Sequence, residues 1–437
     1  MFRPFFARLW QHIDALAGLV VALLFSVAGI LGMASLPVLV SATLITLAII
    51  ALAVIRDRVA RERASSNVRD LLTRVQDPSP DYFFHKETSE TPLLRAAEHE
   101  AWLVQETGSL ITERNQGDLV KLLLRGGTVR FLLTAPTEFA ARLVAFRNAS
   151  LNHDTILSRH RQCRGQLEAI MSRVGDSAEN LQVRYTPFPV DATSVIVDPC
   201  ALVRARQLGL VRFTGFGIPY PQKPDFNIRG DSSPHILNHY YQEAQTLFHN
   251  ASKVVLLTGP PRSGKTTLLE RLVETFERNP ELFYVITREV GPSGDRTGFE
   301  VFTSVQRQPR RFAAKTGNGE YEVYDAELAS VTEQIRTAYY DRKVILLDEI
   351  GPLQARNQQF TKIVSLLLDD PRATLFASVA AEPKHPFISM VRRHYRSTVI
   401  RIGADESGQI HDQLIQELGA SLRLTHALPR DMWGDVQ

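Results

Sequence analysis

The octapeptide Gly259-Pro260-Pro261-Arg262-Ser263-Gly264-Lys265-Thr266 constrains this chain more than any other feature. Two glycines bracket four residues, and Lys and Thr follow, which is the pattern of a phosphate-binding loop. The flanks agree with it. Val254-Val255-Leu256-Leu257 reads as a buried strand, and Thr267-Leu268-Leu269-Glu270-Arg271-Leu272-Val273 as a helix. Strand, glycine-rich turn and helix is the order such a loop needs. The glycines let backbone N–H groups wrap an anionic phosphate, and the helix N-terminus adds the positive end of its dipole. Residues 259–267 are therefore the expected nucleotide-binding segment. Lys265 is placed to reach the outer phosphates, and the Thr266 hydroxyl to sit on Mg²⁺.

A second signature lies further along, at Lys343-Val344-Ile345-Leu346-Leu347-Asp348-Glu349-Ile350-Gly351. A strand buried on both faces is apolar throughout. This one ends in two acids. Asp348 is the expected metal ligand and Glu349 the expected general base, polarising a water for attack. Together with Lys265 they form the expected catalytic set.

From residue 252 to about 405 the chain resembles the small nucleoside triphosphatases that include the cancer-related nucleoside triphosphatase and its thermophilic homologues. The carrying residues are the loop itself, Thr287-Arg288-Glu289-Val290, Arg296-Thr297-Gly298-Phe299-Glu300-Val301 and Asp348-Glu349-Ile350-Gly351-Pro352. Tyr321-Glu322-Val323, Phe360, His385-Pro386-Phe387-Ile388 and Thr398-Val399-Ile400-Arg401-Ile402 also fit. The resemblance implies a RecA-like fold with a mainly parallel sheet, and hydrolysis of the terminal phosphate of ATP or GTP. There are two departures. Arg262 stands where a small residue is common, and Leu353-Gln354 replaces the usual Met-Glu. Arg288 and Arg296 are candidates to line the nucleotide pocket. Arg392, Arg393 and Arg396 are candidates for a charge-neutralising finger, with a solvated helix face as the alternative.

The amino terminus has a different character. No charged residue occurs between Ala15 and Ile55, roughly twice the ~20 residues of one helical crossing. Gly32-Met33-Ala34-Ser35-Leu36-Pro37 offers a turn near the middle, so two transmembrane helices in a hairpin are expected. Arg3 and Arg8 precede the first helix, and Arg56, Arg58, Arg61 and Arg63 follow the second. Positive flanks stay on the cytoplasmic side, so the inner membrane with both termini cytoplasmic is the expected location. The lipid bilayer is then a partner. Gly18, Gly29 and Gly32 would also allow close helix packing and a homo-oligomer.

The expected organisation of the 437 residues is an anchor over 1–60, a linker over 61–98, an α/β domain over 99–250 and the NTPase domain over 251–437. In the middle domain, strands are expected at Ala101–Val104, Val129–Leu133, Leu181–Tyr185 and Ser194–Val197. Helices are expected at Gly117–Arg125, over a long stretch from Thr137 to Val174, and at Ile236–His249. Asp118 to Leu133 and Ser194-Val195-Ile196-Val197-Asp198 resemble half of a phospholipase D-like domain. Active members of that family carry His-x-Lys-x4-Asp. With Asp198 as that motif's final Asp, Asp191 and Thr193 stand at the His and Lys positions, which argues against lipase or nuclease chemistry and leaves a sensing, regulatory or dimer-forming role, with a plain α/β spacer as the alternative.

Fifty basic residues against 47 acidic ones do not call for a nucleic-acid partner. Arg307, Arg310, Arg311 and Lys315, with Phe302 and Phe312 among them, resemble a single-stranded nucleic-acid platform. The triphosphatase resemblance already accounts for that segment. The two cysteines, Cys163 and Cys200, match no metal spacing and suit a reducing compartment. The expected function is a membrane-anchored, Mg²⁺-dependent ATP or GTP hydrolase. The alternative is a nucleotide-gated membrane effector of stress or antiviral type, in which slow hydrolysis acts as a timer.

Overall fold

The computed structural model describes residues 20, 23, 24, 27, 31, 35–76, 88–148, 150–217, 223–291, 297–381, 385–403 and 407–427. The chain divides into two units, Met1–Phe83 and Phe84–Gln437.

In the first unit the described element is α1, Leu36–Gln76, 41 residues long. Its segment Leu36–Val59 has mean hydropathy 2.8 over 24 residues, long and apolar enough to cross a bilayer. Leu36, Leu44, Leu47 and Leu52 are all exposed. Most of the expected first membrane helix, with Arg3 and Arg8, lies outside the described residues. Residues 61–76 of the expected linker are helical and continue α1. No Gly or Pro interrupts the segment between Pro37 and Pro78. Asp57 and Arg61, and Arg58 and Glu62, pair at i,i+4 and support a solvated helix there.

The second unit holds two sheets. The first contains β1 (Glu100–Gln105), β2 (Thr128–Thr134), β3 (Leu181–Thr186), β4 (Ala192–Val197), β5 (Leu208–Phe213) and β6 (Asp225–Arg229), in the order β3-β2-β1-β4-β5-β6. β1, β2 and β3 are parallel, and β4, β5 and β6 continue antiparallel. A short α2 (Thr91–Ala96) precedes β1, and α3 (Ser109–Leu124) links β1 to β2. The long helix expected over Thr137–Val174 is two helices, α4 (Glu138–Arg147) and α5 (His153–Val174). The Asn152 side chain accepts from Thr155 N at 2.8 Å and starts the second as its N-cap. Leu103, Phe131 and Val183 pack with Leu167 and Ile170 of α5 on one face. Trp102, Val104 and Leu132 pack on the other against Ala244 and Phe248 of α6 (Pro234–Asn250).

Residues quoted for the phospholipase D-like pattern have structural partners. Asp198 accepts the backbone N–H groups of Glu98, His99 and Glu100, each at 2.8 Å. Asp191 lies 3.3 Å from Arg147, and Thr193 is the register partner of Arg212. His160 and Cys163 are both buried, and the described residues contain no metal-binding cluster of His, Cys, Asp and Glu.

The second sheet contains β7 (Val254–Thr258), β8 (Leu282–Val290), β9 (Gly298–Thr303), β10 (Arg310–Lys315), β11 (Tyr321–Val323), β12 (Val344–Ile350), β13 (Leu375–Val379) and β14 (Ser397–Arg401). Its order is β11-β10-β9-β8-β12-β13-β7-β14. The stretch from β8 to β14 is parallel, and β9, β10 and β11 form an antiparallel extension. Val254, Val255, Leu256 and Leu257 are each 2% exposed or less, because helices cover both faces. Their burial contributes roughly 1.5–3 kcal/mol apiece. α7 (Lys265–Phe276) and α11 (Ser407–Ala427) cover one face; α8 (Asp325–Tyr340), α9 (Gln358–Asp369) and α10 (Pro386–Arg392) cover the other.

Candidate active site

The phosphate loop is the turn between β7 and α7. Arg262 and Gly264 adopt left-handed φ values of 65° and 88°. Alternation of this kind turns successive N–H groups toward one concavity. Gly264 bears the requirement at no steric cost, whereas Arg262 bears it with a side chain. Gly259 answers to a different constraint. A Cβ there would lie 2.6 Å from Ser263 Oγ and 2.9 Å from the Ile402 carbonyl oxygen. Only glycine lets the loop pass so close to the end of β14.

Pro260, Pro261, Arg262 and Thr267 are exposed at the rim, and Ser263, Lys265 and Thr266 are half-buried. Lys265 Nζ donates to the carbonyls of Gly259 and Pro260, each at 2.9 Å, which holds the ammonium at the loop's mouth. Burial lowers its pKa, against the opposing pull of Glu349 and Asp348. The two acids of β12 therefore share an electrostatic field with the loop lysine. β13 lies between β7 and β12, so the strand that leads into the loop and the strand that carries the acids are one strand apart.

Asp348 is 3% exposed. Ser378 of β13 donates to its Oδ1, and Thr287 of β8 donates to its main-chain oxygen. Register with β13 shifts between Leu347 and Ile350, so both acids sit in an irregularity at the strand's end. Burial raises the Asp348 pKa, the Ser378 and Thr266 side chains pull it down, and Glu270 adds to the rise. Its Oδ2 is buried without a hydrogen-bond partner. An orphaned carboxylate oxygen facing a threonine hydroxyl is an oxygen-donor set that suits a hard divalent cation.

Glu349 occupies the space a Cβ on Gly351 would need, and Gln354 Oε1 would lie 2.9 Å from that same Cβ. A narrow, mainly apolar cavity of about 20 Å³ runs beside the two acids, walled by Val285, Phe312, Leu347 and Phe360 with Thr287 and Gln354 at its polar edge. That is room for about one water.

The sequence pattern brought Lys265, Thr266, Asp348 and Glu349 to notice, and the fold gathers them at one end of the sheet. It named Thr287, Gly351 and Gln354 only for the resemblance, with no role at the site, and it missed Ser378. A hydroxyl closing an otherwise apolar strand, as in Leu375–Val379, was the available signal for Ser378. Arg288 is held by Glu270 at 2.7 Å and lies over the Phe302 ring, braced along α7. Arg296 lies outside the described residues. The finger expectation is corrected for Arg396. It is 1% exposed and donates to the carbonyls of Leu367, Leu368 and Ala373, closing the end of α9. Phe312 is buried, and Arg307 and Arg310 pair with Glu277 and Glu327.

A glycine-rich turn between strand and helix, faced by an acid-tipped strand one place removed, defines a P-loop NTPase. Residues 254–415 match the family model described as NTPase. The nucleoside-triphosphatase THEP1 of Aquifex aeolicus is 28% identical over 174 residues, 38% of this chain and 98% of that protein. THEP1 of Thermofilum pendens is 33% identical over 133 residues, 29% of this chain and 72% of that protein. The crystal structure of the Aquifex protein aligns over 37% of this chain and 95% of its own, with 26% identity and a TM-score of 0.32. The chain belongs to the THEP1 nucleoside-triphosphatase family through this region.

Proposed function

We propose that this chain is a membrane-anchored nucleoside triphosphatase that hydrolyses ATP or GTP with Mg²⁺. The observation that carries the reading is the buried, unpartnered Oδ2 of Asp348, set across from Lys265 and beside Thr266. The loop amides and Lys265 grip the triphosphate tail. Thr266 and Asp348 would hold the metal, which when bound would supply charge neutralisation to the phosphates. Glu349 takes a proton from the attacking water. Phosphate release by the full-length protein tests this. Lys265→Ala and Asp348→Asn are each expected to lower turnover at least about a hundredfold, by loss of charge stabilisation. Equal release by wild type and Lys265→Ala rejects the assignment.

Leu36–Val59 supports the anchor, and the arginines beyond it support cytoplasmic termini in the inner membrane. Protease accessibility of tags at each end, in intact and lysed spheroplasts, tests that orientation. Protection of either tag after outer-membrane removal is the expected result.

A second reading, a nucleotide-gated membrane effector, draws support from a buried link between the two sheets of Phe84–Gln437. Arg184 of β3 pairs with Glu417 of α11 at 2.9 Å, and Glu417 also holds Lys253, the residue before β7. Movement at the phosphate loop would reach the first sheet through these charges. Nucleotide-dependent leakage from proteoliposomes is expected under this reading. Fast turnover with no leakage leaves the plain enzyme.

A further inference from the structure

The first sheet ends in a polar cluster that the phosphate loop does not use. Glu106 follows β1, Thr134 closes β2 and Thr186 closes β3. Thr134 N donates to Glu106 O at 3.2 Å, and Thr134 and Thr186 are register partners, so the three stand in a row. They alternate with Leu133 and Tyr185, which pack into the α3 and α5 side, and so face the α6 side of the sheet. Residues 187–191 cross these ends on the way from β3 to β4. Open α/β sheets hold ligands outside the carboxyl ends of their parallel strands.

Three buried oxygens at this place have no hydrogen-bond partner: Glu106 Oε1, Thr134 Oγ1 and Thr186 Oγ1. Thr134 and Thr186 are only 1% and 2% exposed. Leaving such a group unsatisfied costs about 1–3 kcal/mol. Cations converge on the same point. Lys223 is 7% exposed and forms no direct ion pair among the described residues. It feels Glu106, Arg147 and Arg212 through space, and Arg159 of α5 acts on Glu106 as well. Arg147 is already engaged, donating to Val190 O at 2.8 Å and pairing with Asp191. Burial lowers the Lys223 pKa and raises that of Glu106, the response of charges that lack a contact partner. The Lys223 stem is buried while its ammonium has no direct ion pair among the described residues, an arrangement open to an anion.

We propose that this strand-end cluster binds a small phosphorylated molecule carrying a hydroxyl. The phosphate sits on Lys223 and the Thr134 and Thr186 hydroxyls, and the ligand's hydroxyl donates to Glu106. Three donors that need an acceptor select the phosphate end, and the orphaned carboxylate oxygen selects the hydroxyl end. The depth of the threonines favours a soluble molecule over a lipid headgroup. Arg184, next after Thr186 on that face of β3, belongs to the ion pairs that reach Lys253, so occupancy here is adjacent to the link between sheets. The site stands whether or not the chain hydrolyses nucleotide.

Calorimetric titration of ribose 5-phosphate and of inorganic phosphate into full-length protein tests it. Wild type and Lys265→Ala are expected to bind ribose 5-phosphate equally. Lys223→Met, and the near-isosteric pair Thr134→Val with Thr186→Val, are expected to weaken binding at least about tenfold, the worth of a charge-assisted hydrogen bond. Circular dichroism of the threonine variant serves as the fold control. Three results overturn the proposal: no binding of either probe, binding lost in Lys265→Ala and retained in Lys223→Met, or binding only to phosphatidic acid vesicles.

Discussion

Glu349 needs space for its carboxylate, and Gly351 provides it, since a Cβ there would collide with Glu349 Oε1. Glu349 is the last residue but one of β12 and Gly351 the first after it, which is why a glycine follows the acids so closely. Glu349→Gln keeps the shape and removes the base. Nucleotide binding is expected to be unchanged while turnover falls about 10²–10⁴-fold, the usual worth of a general base. Fluorescent-nucleotide binding measured beside single-turnover hydrolysis separates the two. Unchanged turnover would assign water activation to another group, with Gln354 the nearest candidate. Gly351→Ala is expected to resemble Glu349→Gln in turnover, since a methyl group there displaces the carboxylate rather than removing it.

At the scale of elements, the phosphate loop is defined as much by β14 as by its own residues. Gly259 passes against the Ile402 carbonyl, and Ile402 N donates to Thr258 O at 2.7 Å. Gly259→Ala is expected to push the loop off β14 and weaken nucleotide binding at least about tenfold, with the fold retained. Equilibrium binding and a thermal melt check it; unaltered affinity would mean the loop yields freely. These neighbours explain what was legible beforehand. β7, its turn and α7 are consecutive in sequence, so their apolar run, glycines and helical spacing could be read directly. β12 was legible because a strand buried on both faces is apolar throughout. Thr287, Ser378 and Ile402 reach the site from separate strands, and only sheet order brings them together. β5 and β6 escaped for a related reason. Arg212 and Asp225 interrupt their apolar pattern and are paired with each other inside the fold at 2.7 Å. The length of α1 was misjudged because its charged half satisfies itself along one helix, without the apolar face that marks a packed one.

Across the second unit as a whole, Glu417 is the charge on which both sheets depend. It is 5% exposed and meets Arg184 from β3 and Lys253 before β7. Burial works to raise its pKa, yet Arg184 and Lys253 overcome burial and hold it down to about 2, from an ordinary 4.5. A carboxylate held below its unfolded value stabilises the fold fully above about pH 4.5. That stability is lost as pH falls from there through the folded value near 2. The shift of roughly 2.5 pH units corresponds to on the order of 3 kcal/mol. Glu417→Gln leaves Arg184 buried without its anion, and Lys253, whose pKa burial already lowers to about 7, sheds its proton; the loss is about 3–5 kcal/mol at neutral pH. Denaturant midpoints between pH 2 and pH 7 are therefore expected to fall steeply in acid for wild type. For Glu417→Gln they are expected to start lower and change less. Parallel curves would show that protonation of Glu417 is not what drives the acid loss, and coincident curves that the ion pairs contribute nothing net to holding the sheets together. The variant with Arg184→Met, Lys253→Met and Glu417→Leu together removes every charge of the group. It is expected to recover much of the neutral-pH stability, because an apolar replacement avoids the desolvation that the ions bear. If that variant is stable but its nucleotide turnover no longer responds to changes in the first sheet, the charges serve communication more than cohesion.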